Sequence, residues 1–172
     1  ARLSLESSDS SAFLAPPGTS DGLIGEKVVV EVSSPRLEFA RVGHEFFPVE
    51  IPLNEAGVHP RASIGEGTVV GSGAVVGADV LIGRDSVIGP NVVIRPRSVI
   101  GDRVCIGPGS VIGEHGFGFE RDEGGRPIRL PHYGRVRVGD DVEIGANAVV
   151  DSGLFDDTTI QAGAKIDSLV LI

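Results

Sequence analysis

The residues best suited to accept a proton near neutral pH are four histidines, because imidazole titrates in that range. His115 and His132 flank a segment rich in Gly, Phe and Arg, whereas His44 and His59 lie well before it. Zinc sites need ligands that converge on one ion, and the spacing of these histidines predicts no metal site. His115 as a general base is one interpretation, and a solvated loop histidine is the other.

Two further groups of residues have types that suit substrate binding. Phe117, Gly118 and Phe119 form an aromatic pair separated by a glycine, which indicates either an apolar anchor for a loop or the wall of a substrate groove. Asp151 and Asp167 each follow an aliphatic residue of a repeating pattern, so each is expected to project at an edge of the structure. An aspartate in such a position is commonly just a corner residue.

A six-residue repeat must position all of these side chains. Every sixth residue from position 58 is β-branched through ten consecutive units, and eight of the ten are followed by Gly: Val58, Ile64, Val70, Val76, Ile82, Ile88, Ile94, Ile100, Ile106 and Ile112. An α-helix would distribute positions six apart around its whole surface. The period therefore predicts short strands separated by turns.

Each unit also has a small or β-branched residue two positions before its aliphatic residue, so both side chains point to the same side of a strand. The glycine that follows is expected to supply the backbone freedom of a corner. Three such sides close a coil of about eighteen residues, in which like residues stack on like. The sequence therefore predicts an all-β fold, a parallel β-helix.

The repeat is interrupted twice, and both interruptions are predicted to leave the coil as loops. The larger is an extruded loop at 113–137, and the smaller contains Asp156 and Asp157, which favour an Asx-type turn. We assign 1–52 to a reduced N-terminal α/β segment and 53–172 to the β-helix. Loops on a rigid scaffold commonly carry function, although an insertion without a role is the alternative.

Composition excludes several classes of protein. The net charge of −9 argues against a general nucleic-acid surface, which needs clustered Lys and Arg. The single cysteine, Cys105, cannot form an internal disulfide and suits a reducing compartment. The longest apolar runs are a few residues, so no transmembrane segment is predicted, and a cytoplasmic location is expected.

Several stretches carry a family resemblance. The tandem hexads resemble the left-handed β-helix of hexapeptide-repeat acyltransferases. GEHGFGF, PHYGRVRVGDDVEIGANAVVDSGLFDDTTI and AKIDSLVLI resemble the UDP-3-O-(3-hydroxyacyl)glucosamine N-acyltransferases of lipid A synthesis, as does VEVSSPRLEFARV before the coil. The hexads alone indicate only the superfamily, whereas HGFGF followed by GLFDDT is more specific.

The resemblance implies a homotrimer that transfers a 3-hydroxyacyl chain from acyl carrier protein to the amine of a UDP-linked acylglucosamine, with no resident cofactor. It places the catalytic histidine in position 174, beyond Ile172, and makes Asp167 the strongest substrate contact in the chain. His115 and Ser152 stand where the family has Asp and Arg, and Ser34 stands where it has Asn. We expect Asp151, Phe117, Gly118 and Phe119 to contact the nucleotide-sugar substrate or the acyl chain.

Two alternatives from other classes remain. One is a nucleotide-sugar acetyltransferase that uses acetyl-CoA, which shares the coil and a loop but lacks the HGFGF and GLFDDT pair. The other is a non-catalytic β-helix that serves binding or assembly. Dependence on carrier protein or on coenzyme A separates the enzymes, and a histidine in position 174 separates the N-acyltransferase from the non-catalytic module.

The residues that precede the interior aliphatic positions predict an oligomer. They should face outward, yet eight of them are apolar: Val69, Val75, Leu81, Val87, Val93, Val99, Cys105 and Val111. Contiguous exposed patches of this kind mark interfaces. We expect light scattering to give about three times the monomer mass for a trimer with parallel coil axes, and a monomeric mass would contradict this prediction.

Overall fold

The computed structural model of the protein describes residues 8–19, 27–48 and 57–172. The chain divides into two compact units. One combines Ala1–Val49 with Phe117–Pro131, and the other combines Glu50–Gly116 with His132–Ile172. The boundary predicted between residues 52 and 53 lies outside the described residues.

The strands are short, as the six-residue period predicts. In chain order they are β1 (Ala12–Ala15), β2 (Val28–Glu31), β3 (Ser63–Ile64), β4 (Val69–Val70), β5 (Val75–Val76), β6 (Leu81–Ile82), β7 (Val87–Ile88), β8 (Val93–Ile94), β9 (Val99–Ile100), β10 (Cys105–Ile106), β11 (Val111–His115), β12 (Phe119–Arg121), β13 (Pro127–Arg129), β14 (Val136–Val138), β15 (Glu143–Ile144), β16 (Val149–Ser152), β17 (Thr158–Ile160) and β18 (Lys165–Ile166). The described residues contain one helix, α1 (Pro35–Phe46). No helix in the described ranges is both long enough and apolar enough to cross a membrane.

Three parallel sheets form the faces of the coil. The first has the order β17-β14-β9-β6-β3, the second β18-β15-β10-β7-β4, and the third β16-β11-β8-β5. Strands that follow one another in sequence lie on different faces, and each pairs with the strand of the same face in the next coil, as Ile64 does with Ile82 and Ile106 with Ile144. The prediction of a left-handed parallel β-helix with a short N-terminal α/β segment is confirmed.

The core is a column of aliphatic side chains inside the coil. In the central units both positions that were predicted to face inward are buried, as for Val80 with Ile82 and Val104 with Ile106, whereas residues of the end units such as Ile64 and Ile166 are partly buried. Ser86, Ser98 and Ser110 are also fully buried. Their hydroxyl groups donate to backbone carbonyl oxygens, so no polar group is left without a partner there.

The corners differ from their prediction. The residue with positive φ is two positions after the corner glycine, and it is commonly Asp, Asn or Arg, as Asn91 is with φ 55°. The glycine that follows the aliphatic residue is needed for space instead. A Cβ on Gly107 would lie 2.6 Å from the backbone nitrogen of Ala146 in the next coil. Backbone-to-backbone stacking, and not left-handed geometry, therefore requires glycine at these corners.

The apolar outward positions of the sequence predict three apolar faces, but the three outer faces are not equally apolar. On the first and second sheets the apolar residues of the early coils give way to charged residues, such as Arg137 on β14 and Glu143 on β15. The third sheet stays apolar throughout its described length, through Val75, Val93, Val111, Val149 and Leu171. Only this sheet offers a continuous apolar surface, which we call the valine ladder.

The unit that contains α1 also includes most of the large insertion. The loop predicted at 113–137 contains an antiparallel hairpin of β12 and β13, which the repeat analysis did not anticipate. The side chains of α1 hold this hairpin: Arg36 pairs with Glu120 at 2.8 Å, and the imidazole of His44 lies 2.8 Å from the carbonyl oxygen of Arg129. The insertion is thus a folded element within its unit.

The corner geometry predicts the effect of adding one methyl group. We expect Gly107→Ala to lower the free energy of unfolding by about 1–3 kcal/mol, because the new Cβ would overlap the next coil. Gly124→Ala is the control, since its nearest neighbour is 3.4 Å away, and it should change stability by less than about 0.5 kcal/mol. Equal effects of the two changes in urea denaturation would contradict this explanation.

Candidate functional site

The main cluster of titratable side chains lies at the end of β11, where the chain leaves the repeat. A bulge at Gly113, with φ 89°, follows the last interior residue of this strand. The strand then continues, which places Glu114 opposite Asp151 and His115 opposite Ser152 on β16. The carboxylates of Glu114 and Asp151 therefore come from paired positions on the neighbouring strands β11 and β16.

His132 joins this cluster from the other end of the insertion. The rings of His115 and His132 meet edge to face with their centroids 6.1 Å apart. Gly116 makes the contact possible, because a Cβ at this position would lie 2.6 Å from Nε2 of His132. The structure thus brings together the two histidines that flank the segment.

The charges in the cluster act on one another. Burial raises the pKa of Asp151, and the negative charge of Glu114 raises it further, whereas His132 and His115 act in the opposite direction. The guanidinium Nε of Arg95 lies 3.8 Å from Glu114, and only 15% of the Arg95 side chain is exposed. The site therefore combines two carboxylates, two imidazoles and one guanidinium.

The two interruptions of the repeat meet each other within the coil unit. The backbone nitrogens of Tyr133 and Gly134 donate to the carbonyl oxygens of Leu154 and Gly153, each at 3.0 Å. The Asx prediction placed the hydrogen bonds of Asp157 within its own turn, but the structure places them on another segment. Its carboxylate accepts from the backbone nitrogen of Arg135 at 3.2 Å and from the side chains of Arg135 and Arg137.

Asp167 is not part of the cluster. It follows β18 at the end of the second sheet, whereas Asp151 lies on the third sheet. Its side chain is exposed and accepts from the backbone nitrogen of Ser168 at 2.7 Å. Its predicted role as a substrate contact stays a prediction.

The aromatic pair lies in the other unit, at the start of the hairpin. Phe117 is 90% exposed, and its ring meets that of Phe119 edge to face at 5.0 Å. The guanidinium of Arg129 lies over the Phe119 ring at 4.6 Å, and the carbonyl oxygen of Gly118 accepts from Leu130. An exposed aromatic side chain of this kind is not an anchor buried in its own unit, and it offers a surface for an apolar or planar ligand.

Several known proteins are similar to this chain in sequence. The family model for the bacterial transferase hexapeptide, six repeats, matches residues 79–114. UDP-3-O-acylglucosamine N-acyltransferases from Coxiella burnetii and Aromatoleum aromaticum are 58% and 52% identical over 64 residues, which is 37% of this chain and 19% of each relative. The enzyme of that name from Methylacidiphilum infernorum is 51% identical over 168 residues, covering 84% of this chain and 47% of the relative.

This chain carries the hexapeptide repeat and has homologues among the UDP-3-O-acylglucosamine N-acyltransferases. The resemblance to these N-acyltransferases, noted from HGFGF and GLFDDT, is confirmed by these relatives. The chain spans less than half the length of the curated relatives that it matches.

The sequence identified part of this cluster. It singled out His115 and Asp151 but gave Glu114 no role and treated His132 only as a flanking residue. The six-residue period does not reveal how β11 and β16 are aligned beyond Ile112. The bulge at Gly113 adds one residue to β11 and so places Glu114 opposite Asp151. Among the described residues, no three His, Cys, Asp or Glu side chains are arranged to hold a metal ion.

The contacts of Asp157 predict an acid-dependent loss of stability. Burial opposes ionisation of Asp157, but its hydrogen bonds to Arg137 and Arg135 outweigh burial and lower the pKa of the carboxyl group. The stabilisation is therefore present above the unfolded-state pKa, about 3.9, and is lost as pH falls through the lower folded-state value. We expect Asp157→Asn to cost about 0.5–1 kcal/mol at pH 7.

The matched control for this change is Asp156→Asn, because Asp156 is the exposed neighbour. Thermal unfolding of parent and variants at pH 7 and pH 3 measures both effects. The difference between parent and Asp157→Asn should shrink at pH 3, and a difference that persists unchanged at pH 3 would show that the charge of Asp157 is not its source.

Proposed function

We propose that the protein to which this chain belongs is an N-acyltransferase that moves a 3-hydroxyacyl chain from acyl carrier protein to the amine of a UDP-acylglucosamine. The observation that carries the proposal is the 51% identity to a UDP-3-O-acylglucosamine N-acyltransferase over 84% of the chain. The three-sided coil and its inserted hairpin support it.

The chemistry defines the roles that side chains must fill. The amine nitrogen attacks the thioester carbonyl carbon, the carrier thiol leaves, and a base removes the proton from the attacking nitrogen. The resemblance places that base in position 174. Within this chain the candidate base is His115, which is half-buried and lies beside His132.

Substrate contacts are assigned to residues in both units. In the hairpin unit, Phe117, Gly118 and Phe119 present an aromatic surface that suits the acyl chain or the base of the nucleotide. In the coil unit, Asp151 and Asp167 present carboxylates, which suit sugar hydroxyl groups or the acceptor amine. No resident cofactor is part of the proposal.

The proposed assembly is a homotrimer. The valine ladder on the third sheet supports it, because this sheet keeps apolar outward residues along its whole described length. Acyl carrier protein as the donor, a nucleotide sugar as the acceptor and a cytoplasmic location belong to the same proposal.

A nucleotide-sugar acetyltransferase that uses acetyl-CoA is the second candidate, because the match to the hexapeptide-repeat model does not distinguish it from the first. Donor dependence separates the two. We expect the full-length protein to acylate the amine of a UDP-linked acylglucosamine with 3-hydroxyacyl carrier protein and to give no product with acetyl-CoA, as followed by mass spectrometry. Product with acetyl-CoA alone would establish the acetyltransferase, and no product with either donor would support a non-catalytic β-helix.

The same assay can test the role of the exposed aromatic side chain of Phe117. Phe117→Ala should raise KM for a substrate, because it removes the 90% exposed aromatic ring to which the proposal assigns a substrate contact. Phe46→Ala is the matched control, since Phe46 on α1 is also exposed, at 69%, and has no assigned role. Equal kinetics for the two variants would remove Phe117 from the site.

A further inference from the structure

Three arginines lie close together at one corner of the coil unit. Arg97 and Arg135 occupy the same corner in successive coils, because each lies two residues before one member of the paired positions Val99 and Arg137. Neighbouring strands of a sheet are about 4.8 Å apart, so the backbones of these two arginines are near neighbours. Arg137 itself is exposed on the outer face of β14. We call Arg97, Arg135 and Arg137 the arginine cluster.

Asp157 supplies the carboxylate that contacts the arginine cluster. Its Oδ2 atom accepts from Nε of Arg135 at 3.1 Å and from Nε of Arg137 at 2.5 Å. Arg97 donates instead to the carbonyl oxygen of Tyr133, at 3.2 Å from Nη2. Two guanidinium groups therefore converge on a single oxygen atom, and the third is held beside them without a carboxylate of its own.

Most nitrogen atoms of these three guanidinium groups have no hydrogen-bond partner within the described part of the chain. Arg135 and Arg137 reach Asp157 through Nε, which leaves both terminal nitrogens of each without a partner among those residues. Arg97 uses Nη2 alone. A guanidinium presents five N–H donors in a planar fork that matches the oxygen atoms of phosphate. The arginine cluster therefore offers donors of the right chemistry for a phosphate group.

The guanidinium of Arg103, at another corner of the same unit, shows the opposite arrangement. It binds Asp141 through Nε at 2.7 Å and through Nη2 at 2.8 Å, and Asp102 and Asp140 each have an oxygen 3.9 Å from it. The hydrogen bond to Asp141 raises the pKa of Arg103. Three carboxylates thus surround one guanidinium there, so that corner has no positive charge left for a ligand.

The charge of the arginine cluster is opposite in sign to that of the whole chain. Three guanidinium groups with the carboxylate of Asp157 leave a charge of +2, and counting the exposed Asp156 leaves +1, whereas the chain carries −9. Arg61 lies farther along the same corner and pairs with Asp79 at 3.0 Å, so these two charges cancel. A local positive charge of this kind attracts small anions.

We propose that the arginine cluster binds a phosphate or diphosphate group beside Asp157. The ligand oxygens accept from the terminal nitrogens that Asp157 leaves unused, in charge-assisted hydrogen bonds. The diphosphate of a nucleotide sugar and the phosphate of a pantetheine arm both carry this chemistry. The choice between these sources rests on the proposed function, whereas the site rests on the contacts and charges of the arginine cluster.

Calorimetric titration of the full-length protein with inorganic pyrophosphate, without divalent cations, tests the site. We expect saturable binding that weakens as salt is added. Arg97→Gln and Arg137→Gln should each raise Kd about tenfold, the effect of losing one charge-assisted contact. Arg84→Gln is the matched control, because this arginine is exposed but pairs with Asp102, and it should leave Kd unchanged. Absence of binding, or an equal loss in the Arg84→Gln variant, would overturn the proposal.

A change at Asp157 separates ligand binding from folding. Asp157→Asn keeps an acceptor oxygen but removes a competing negative charge, so it should lower Kd for pyrophosphate about fivefold although it destabilises the protein. Weaker binding by the folded Asp157→Asn variant would contradict the site. Arg97 takes no part in the contacts of Asp157, so Arg97→Gln remains informative if another variant does not fold.

Titrations with UDP and with 4′-phosphopantetheine identify the source of the phosphate. Arg97→Gln should weaken the ligand whose phosphate occupies the arginine cluster, and an effect on neither ligand would overturn the proposal. Loss of carrier-protein binding in Arg137→Gln, with parental affinity for pyrophosphate, would assign these arginines to a protein interface instead. Pyrophosphate binding that depends on Arg97, in a protein that forms no acylated product with either donor, would uphold this site and remove the proposed function.

Discussion

Close stacking of backbone on backbone between successive coils is the constraint on which the rest of the structure depends. Each coil bonds to the next along all three faces and at its corners, as in the 2.7 Å bond from the nitrogen of Gly107 to the carbonyl oxygen of Ile144. Neighbouring strands in a sheet are about 4.8 Å apart, which leaves no room for side chains between corner backbones. Glycine, a positive φ two residues later and an interior aliphatic residue therefore recur in most units.

The same stacking explains how an insertion can enter the coil without disrupting it. The chain leaves after β11, yet β14, β15 and β16 pair in register with β9, β10 and β11. The ladder fixes the backbone on both sides of the insertion, and Glu114 and Asp151 cannot move apart to relieve their repulsion. Arg95 reaches Glu114 at this edge, and the two imidazoles oppose the rise in the pKa of Asp151.

The sequence predicted the interior of the coil better than its edges. Positions such as Ile88 and Val92 recur at a fixed period because they face the core, and burial alone selects them. The hairpin and α1 have no such period, since each depends on contacts far apart in sequence, such as Arg41 with Glu123. His132 was undervalued for the same reason, because its ring contact with His115 exists only once the insertion folds back.

The cluster of titratable side chains lies at the ends of two strands that also contribute to the valine ladder. β11 and β16 contribute Val111 and Val149 to the valine ladder, and the same two strands end in Glu114 and Asp151. Apolar groups packed against this sheet would remove water from the nearby carboxylates and raise the cost of their charges. Burial already raises the pKa of Asp151, so packing on the valine ladder should raise it further.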